Sequence, residues 1–193
     1  DLPPLPREVL AGARQAEQLL LSDASEGDRA SLEPLIAEAV ADVSWGDFEE
    51  TARCGLCSTS GTTGAPKGVT YTHRACYLHT LRALQADVMA FRSSHAVLAV
   101  VPMFHANAWG LPFSVPPAGG KLVLPARHTD GASLARLINA EAVTIGVGVP
   151  TVWLGLVEHF EAVGGDVPTL ERVVVGGMPI APSLMARIER RLG

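Results

Sequence analysis

The spacing of apolar positions changes character along this chain. Residues 8–20 carry Val9, Ala13, Ala16, Leu19 and Leu20 at helical spacing, and residues 33–40 predict a second helix, with residues 28–31 offering a cap. A short strand is expected to end at Leu21-Ser22-Asp23. From residue 51 onward, short β-branched runs alternate with helical patterns. Strands are expected over residues 55–58, 69–71, 96–101, 122–124, 143–149 and 173–175. Helices are expected from the Thr72 cap to about residue 90, over 130–140 with Leu134, Leu137 and Ile138 on one face, and over 151–163. Pro182 suits the first position of a terminal helix. This alternation predicts an α/β fold with a largely parallel sheet flanked by helices. In such sheets ligands sit beyond the carboxyl ends of strands. The loops after Ser58, Val101 and Val175 all follow expected strands, which points to one shared site. No internal repeat is found.

Composition narrows the function classes. The chain has 193 residues, 48% apolar and 18% charged, which suits one globular domain or part of a larger one. Its formal charge is −5, and no Lys/Arg cluster interleaves with aromatics, so there is no electrostatic footprint for nucleic acid. Any phosphate must be held by a local, shaped site. The cysteines are Cys54, Cys57 and Cys76, too few and too odd in number for a disulfide framework. Cys54 and Cys57 form a C-x-x-C, but no second Cys/His pair stands at zinc spacing, and Cys57 falls in an expected buried strand. Free thiols suit a reducing cytoplasm. The apolar run 96–104 is far shorter than the roughly 20 residues that span a bilayer, so no transmembrane segment is expected. The N-terminus has no signal pattern and begins at Asp1, which reads as a fragment boundary.

Residues 59–68, Thr59-Ser60-Gly61-Thr62-Thr63-Gly64-Ala65-Pro66-Lys67-Gly68, carry the strongest chemical signal. Glycines let the backbone approach a phosphate with its N–H groups exposed, hydroxyls add donors, and Lys67 adds a positive charge. Each charge-assisted bond contributes roughly 1.5–3 kcal/mol. The spacing is not that of a Walker loop, and the segment joins two expected strands rather than opening a helix. A GTPase or kinase reading is therefore set aside.

The run Ser-Gly-Thr-Thr-Gly-x-Pro-Lys-Gly closely resembles the phosphate-loop signature of the adenylate-forming superfamily, which includes acyl-CoA synthetases, luciferases and nonribosomal adenylation domains. The resemblance implies that Thr59, Ser60, Gly61, Thr62, Thr63, Gly64 and Lys67 bind the phosphates of ATP, with Thr59 also helping to bind Mg2+. Ser58 stands where the family often has an aromatic.

A second segment, Val101-Pro102-Met103-Phe104-His105-Ala106-Asn107-Ala108-Trp109-Gly110, on its own reads as packing more readily than as a ligand site. It resembles the substrate-lining motif of long- and medium-chain acyl-CoA synthetases. That likeness implies that Trp109 gates an acyl tunnel, that His105 lies near the substrate carboxylate, and that Ala106 lines the site where relatives commonly have Val. An apolar wall suits an acyl chain, because burial favours each CH2 by about 0.8 kcal/mol, whereas an amino acid's ammonium needs an acidic partner. Residues 121–125, 130–134 and 148–154 look like the same subfamily. Ser114-Val115-Pro116-Pro117 departs from it: relatives carry a helix of small residues there, and two prolines remove donors and bend the chain, which bears on tunnel shape.

Val175-Gly176-Gly177 ends a strand, and in the family this Gly-Gly lets adenine lie against the backbone, Gly177 being the better candidate for contact. Met178-Pro179 replaces the usual Ser-Ala. The remaining histidines, His73, His79, His95, His128 and His159, match no metal-ligand pattern and read as structural or surface residues.

The resemblance covers residues 51–193 and, more weakly, the leading segment 1–50. It implies part of the AMP-binding N-terminal domain of a fatty acid–CoA ligase that uses fatty acid, ATP, Mg2+ and CoA, with Lys67 and His105 as catalytic candidates. Nothing after Gly177 resembles the family's Tyr-Gly-x-Thr-Glu segment, its ribose-binding Asp, its hinge or its C-terminal domain with a catalytic Lys. The chain alone is thus expected to be inactive, and a homodimer is an expectation for the parent protein. Two alternatives stay open: another adenylate-forming enzyme, and a non-catalytic nucleotide- or acyl-binding module.

Overall fold

The structure, a computed structural model, describes residues 36–39, 46–59 and 67–192. The helix expected over 8–20, the strand ending at Asp23 and the cap at 28–31 lie outside the described residues. Residues 36–38 of the expected second helix are helical. The chain divides into two units, Asp1–Asp47 and Phe48–Gly193, and the chemistry-bearing segments all belong to the second.

That unit is built on a four-stranded parallel sheet in the order β4-β3-β5-β6, formed by β3 (Ala96–Val100), β4 (Lys121–Val123), β5 (Ile145–Gly148) and β6 (Arg172–Val175). Its central strands β3 and β5 are buried at every position, because each face is covered. Strand alternation sends Leu98 and Val100 to one face and Val97, Ala99 and Val101 to the other. The first face packs against α3 (Gly131–Ala140), α4 (Pro150–Val163) and α5 (Pro182–Leu192) through Leu134, Ile138, Trp153, Phe160, Leu184 and Ile188. The second packs against α1 (His73–Ala83), α2 (Leu111–Ser114) and the loop after α1, through Ala83, Leu111, Val115 and Phe91. Trp153 is fully buried, and its ring fills the space that a side chain at Gly146 would occupy.

Local chemistry sets the helix starts. The Thr72 hydroxyl accepts from the Ala75 N–H at 3.1 Å, and the Asp130 carboxylate accepts from the Ser133 N–H at 2.9 Å. That backbone donor holds the Asp130 carboxyl below its ordinary range. Pro150 and Pro182 each open a helix, where a missing N–H costs nothing.

Two expectations need correction. The helix from Thr72 ends at Ala83 rather than near residue 90. Residues 85–90 turn instead, Ala90 takes a φ of 49°, and the Met89 carbonyl is drawn off by the Arg172 guanidinium at 2.5 Å. The phosphate-loop segment does not follow a strand of the parallel sheet. It joins β1 (Arg53–Thr59) and β2 (Lys67–Thr72), an antiparallel pair that forms its own two-stranded sheet. The prolines at 116 and 117 sit in a short 3-10 turn, Pro116–Ala118, which follows α2 directly. Among the described residues, no helix is long and apolar enough to cross a membrane.

Candidate active site

Thr59 and Lys67 close the described part of the hairpin. They are opposite one another in the ladder, and the Thr59 hydroxyl donates to the Lys67 carbonyl at 3.3 Å. Both side chains are exposed, so the mouth of the hairpin offers a hydroxyl and an ammonium to solvent. Ser60, Gly61, Thr62, Thr63 and Gly64 lie outside the described residues.

β1 is tied to the segment that carries the second motif. Cys57, buried although its strand is mostly exposed, donates its thiol to Asn107 Oδ1 at 3.0 Å and accepts from the Asn107 N–H at 3.3 Å. The Gly55 backbone lies close enough to the Asn107 amide that a Cβ there would stand 3.3 Å from Nδ2. The hairpin mouth and the Trp109 turn are therefore anchored through one side chain.

That turn has a backbone the sequence did not announce. Ala106, Asn107, Ala108 and Trp109 have φ of 49°, 50°, 48° and 55°, a run of four left-handed residues with no glycine. Each costs roughly 1–2 kcal/mol relative to the right-handed form, less for Asn. The offsetting interactions are the Cys57–Asn107 pair, the full burial of Ala108 and the backbone bond from the Gly110 N–H to the Asn107 carbonyl at 2.9 Å. Strain held by surrounding structure is a mark of functional positions. Gly110, at φ 76°, ends the run, and the His79 ring occupies the space its Cβ would need.

The outcome of this geometry is the placement of the Trp109 indole. It lies against the end of β6, where a Cβ at Gly176 would stand 2.9 Å from Cη2 and one at Gly177 3.6 Å from Cζ2. Gly177 is the residue with positive φ, 79°, while Gly176 faces the ring more closely. The predicted acyl-side residue and the predicted adenine-side strand end thus meet. Ala106 and Trp109 also line a largely apolar cavity of about 290 Å3, together with Tyr71, Cys76, His79 and Phe113. His79 and Trp109 line a second cavity, about 320 Å3, with Val88, Phe91 and Leu111. A wider, more open depression of about 520 Å3 near Asn139 and His159 holds no predicted site residue. His105 is exposed at the start of the left-handed turn and lines neither of the Trp109 cavities.

Sequence reasoning passed over His79, Cys76 and Asn107. The signal for the first two was their spacing on one face of α1, and for Asn107 only the structure shows the bond to Cys57. Cys76 has its thiol pushed up to about 11, first by burial and then by its bond to Cys54 and the neighbouring sulfurs. His95 is structural: it is buried, and its Nδ1 accepts from the Arg92 N–H. Among the described residues, no group of three His, Cys, Asp or Glu side chains could hold a metal ion.

Comparison with known proteins shows the family. Residues 7–193 match the AMP-binding enzyme family. A long-chain-fatty-acid–CoA ligase of Thermus thermophilus is 51% identical over 141 residues, 73% of this chain and 26% of that protein. A 3-methylmercaptopropionyl-CoA ligase of Ruegeria lacuscaerulensis is 42% identical over 159 residues, 82% of this chain and 30% of that protein. The crystal structure of the N-terminal domain of FACL13 from Mycobacterium tuberculosis superposes with a TM-score of 0.73 at 27% identity, covering 83% of this chain and 39% of that one. The chain spans less than a third of the length of these two curated relatives. The chain, matched by that family model over residues 7–193, belongs to the AMP-binding enzyme family.

Proposed function

We propose that this chain forms the phosphate-loop and acyl-side portion of an AMP-forming acid–thiol ligase that activates a fatty acid, first as acyl-AMP and then as acyl-CoA. In the first step a carboxylate oxygen attacks the α-phosphorus of ATP and pyrophosphate leaves. In the second, the CoA thiol sulfur attacks the acyl carbonyl carbon and AMP leaves. The chemistry is mainly positioning and charge stabilisation.

In this reading the hairpin loop, with Thr59, Ser60, Gly61, Thr62, Thr63, Gly64 and Lys67, holds the phosphates, and the Lys67 ammonium opposes charge developing on them. Gly176 and Gly177 offer a flat backbone surface to adenine. His105 lies toward the substrate carboxylate, and Ala106 and Trp109 face the acyl chain. Mg2+ bound with the nucleotide would neutralise phosphate charge. Thr59 has the chemistry to give it one hydroxyl oxygen, since Mg2+ keeps much of its shell from phosphates and water. The observation that carries the reading is the Trp109 indole, set against Gly176 on one side and beside an apolar cavity of about 290 Å3. The free thiols of Cys54, Cys57 and Cys76 support a reducing, cytoplasmic setting. A homodimer is part of the same proposal, and light scattering on the complete protein measures it.

ATP–pyrophosphate exchange by the complete protein tests the function, screened over short to long saturated fatty acids, 3-(methylthio)propionate and amino acids. Fatty-acid-dependent exchange followed by CoA thioester formation is expected. Exchange with amino acids alone would assign a different adenylate-forming activity. Nucleotide binding without exchange would make the protein a binding module.

A further inference from the structure

We propose that Cys54 and Cys76 form a disulfide-exchange site, a thiol pair that low-molecular-weight disulfides oxidise to an internal bond clamping β1 to α1. The two sulfurs are in contact at 3.5 Å, and neither residue is sealed from solvent. Bonding requires a contraction to about 2.05 Å, a closing of about 1.5 Å between the two sulfurs. The C-x-x-C spacing suggests a different pair, but the strand separates it. Cys57 lies three positions along from Cys54, is buried, and is engaged by Asn107 through both its thiol and the Asn107 N–H. The partner of Cys54 therefore comes from the helix, not from its own strand.

The exchange balances as follows. The Cys54 thiolate attacks one sulfur of the small disulfide, forming a mixed disulfide and releasing one thiolate. The Cys76 sulfur, after losing its proton to water, attacks Cys54 Sγ, forming the internal bond and expelling the second thiolate. Two electrons pass from the protein to the small disulfide, and the two protons end on the released thiols. The same exchange runs with the two roles reversed, since the sulfurs face one another at 3.5 Å, and the internal bond formed is the same.

Cys76 also lines the cavity beside Trp109, so oxidation fixes one wall of that cavity to the strand leading into the Thr59 loop. This does not depend on what the cavity binds.

The test is incubation of the complete chain with excess oxidised glutathione, alkylation of remaining thiols and tryptic mapping. Cleavage after Arg53, Lys67, Arg74 and Arg82 leaves Cys54 and Cys57 in one peptide and Cys76 in another. The expected product is those two peptides joined, with fragmentation placing the bond on Cys54 and the alkyl group on Cys57. The same oxidation in urea should instead favour Cys54–Cys57, the shorter closure. Because the wild-type fragmentation spectrum locates the bond, the result does not rest on a variant folding. Cys57→Ser should keep the link and Cys54→Ser should abolish it. Glutathione adducts without a link, a bond from Cys57 to Cys76, or one product mixture in both conditions would overturn the proposal.

Discussion

The Trp109 indole rests on Gly176, so closely that a single methyl group at 176 would stand 2.9 Å from Cη2. The two residues come from distant parts of the chain: one closes the strained turn after β3, the other directly follows β6. The lack of a side chain at 176 is what admits the ring. Gly176→Ala is therefore expected to move the indole, since a ring at the end of two rotatable bonds gives way more readily than the strand. The measurement is tryptophan emission, with a shift on substitution that vanishes in a Trp109→Phe background. An unchanged spectrum in the native background would mean the indole does not rest there in solution.

The same logic separates two other glycines. A Cβ at Gly146 would stand only 2.4 Å from Trp153 Cη2, in a fully buried strand. Gly146→Ala should cost about 1–3 kcal/mol, the usual penalty for overpacking a filled core. Gly155 sits inside α4 with nothing within 4 Å of its would-be Cβ. Gly155→Ala should stabilise by about 1 kcal/mol, because alanine loses less freedom in a helix than glycine. Urea unfolding of both variants decides the matter, and equal midpoints would show that the Trp153 contact does not constrain the strand.

The extent to which the sequence announced this molecule depended on the period of each segment. β3 and β5, with continuous apolar runs, and α3, with Leu134 and Ile138 on one face, were legible because burial on one or both faces leaves a periodic trace. The hairpin was legible as two strands around a glycine-rich loop, but not as a sheet of its own, since pairing partners are not written in local periodicity. The left-handed run at residues 106–109 left no trace at all. Ala-Asn-Ala-Trp has no glycine to advertise positive φ, and its stabilisation comes from Cys57, fifty positions away. The end of α1 was misplaced for the same reason: the Met89 carbonyl is taken by Arg172, a residue from the far side of the sequence.

Asn107 gives the left-handed run its only side-chain anchor to β1 among the described residues. Asn107→Ala removes the acceptor of the buried Cys57 thiol and replaces a residue that tolerates positive φ with one that does not. A loss of about 1–2 kcal/mol in unfolding free energy is expected, from one hydrogen bond and the added backbone strain. Asn107→Gly should recover the backbone part but not the bond, and so fall between the two. If alanine and glycine proved equally stable, the turn would not be left-handed in solution.

Alkaline conditions probe Cys76. Its thiol ionises near 9 in an unfolded chain and at about 11 in the fold, because burial and the facing Cys54 sulfur disfavour the thiolate. Below the unfolded value both states hold the proton, and the stabilising difference is fully present. Between the two values the unfolded chain binds fewer protons than the native one, so stability must fall as pH rises through this window. Above the folded value both are ionised and the decline ends. Cys76→Ala removes this contribution. Urea midpoints measured under reductant from about pH 8 to about pH 11 should therefore drop more steeply for the native chain than for the variant. Parallel slopes would mean that the Cys76 thiol meets water as freely in the fold as in the unfolded chain.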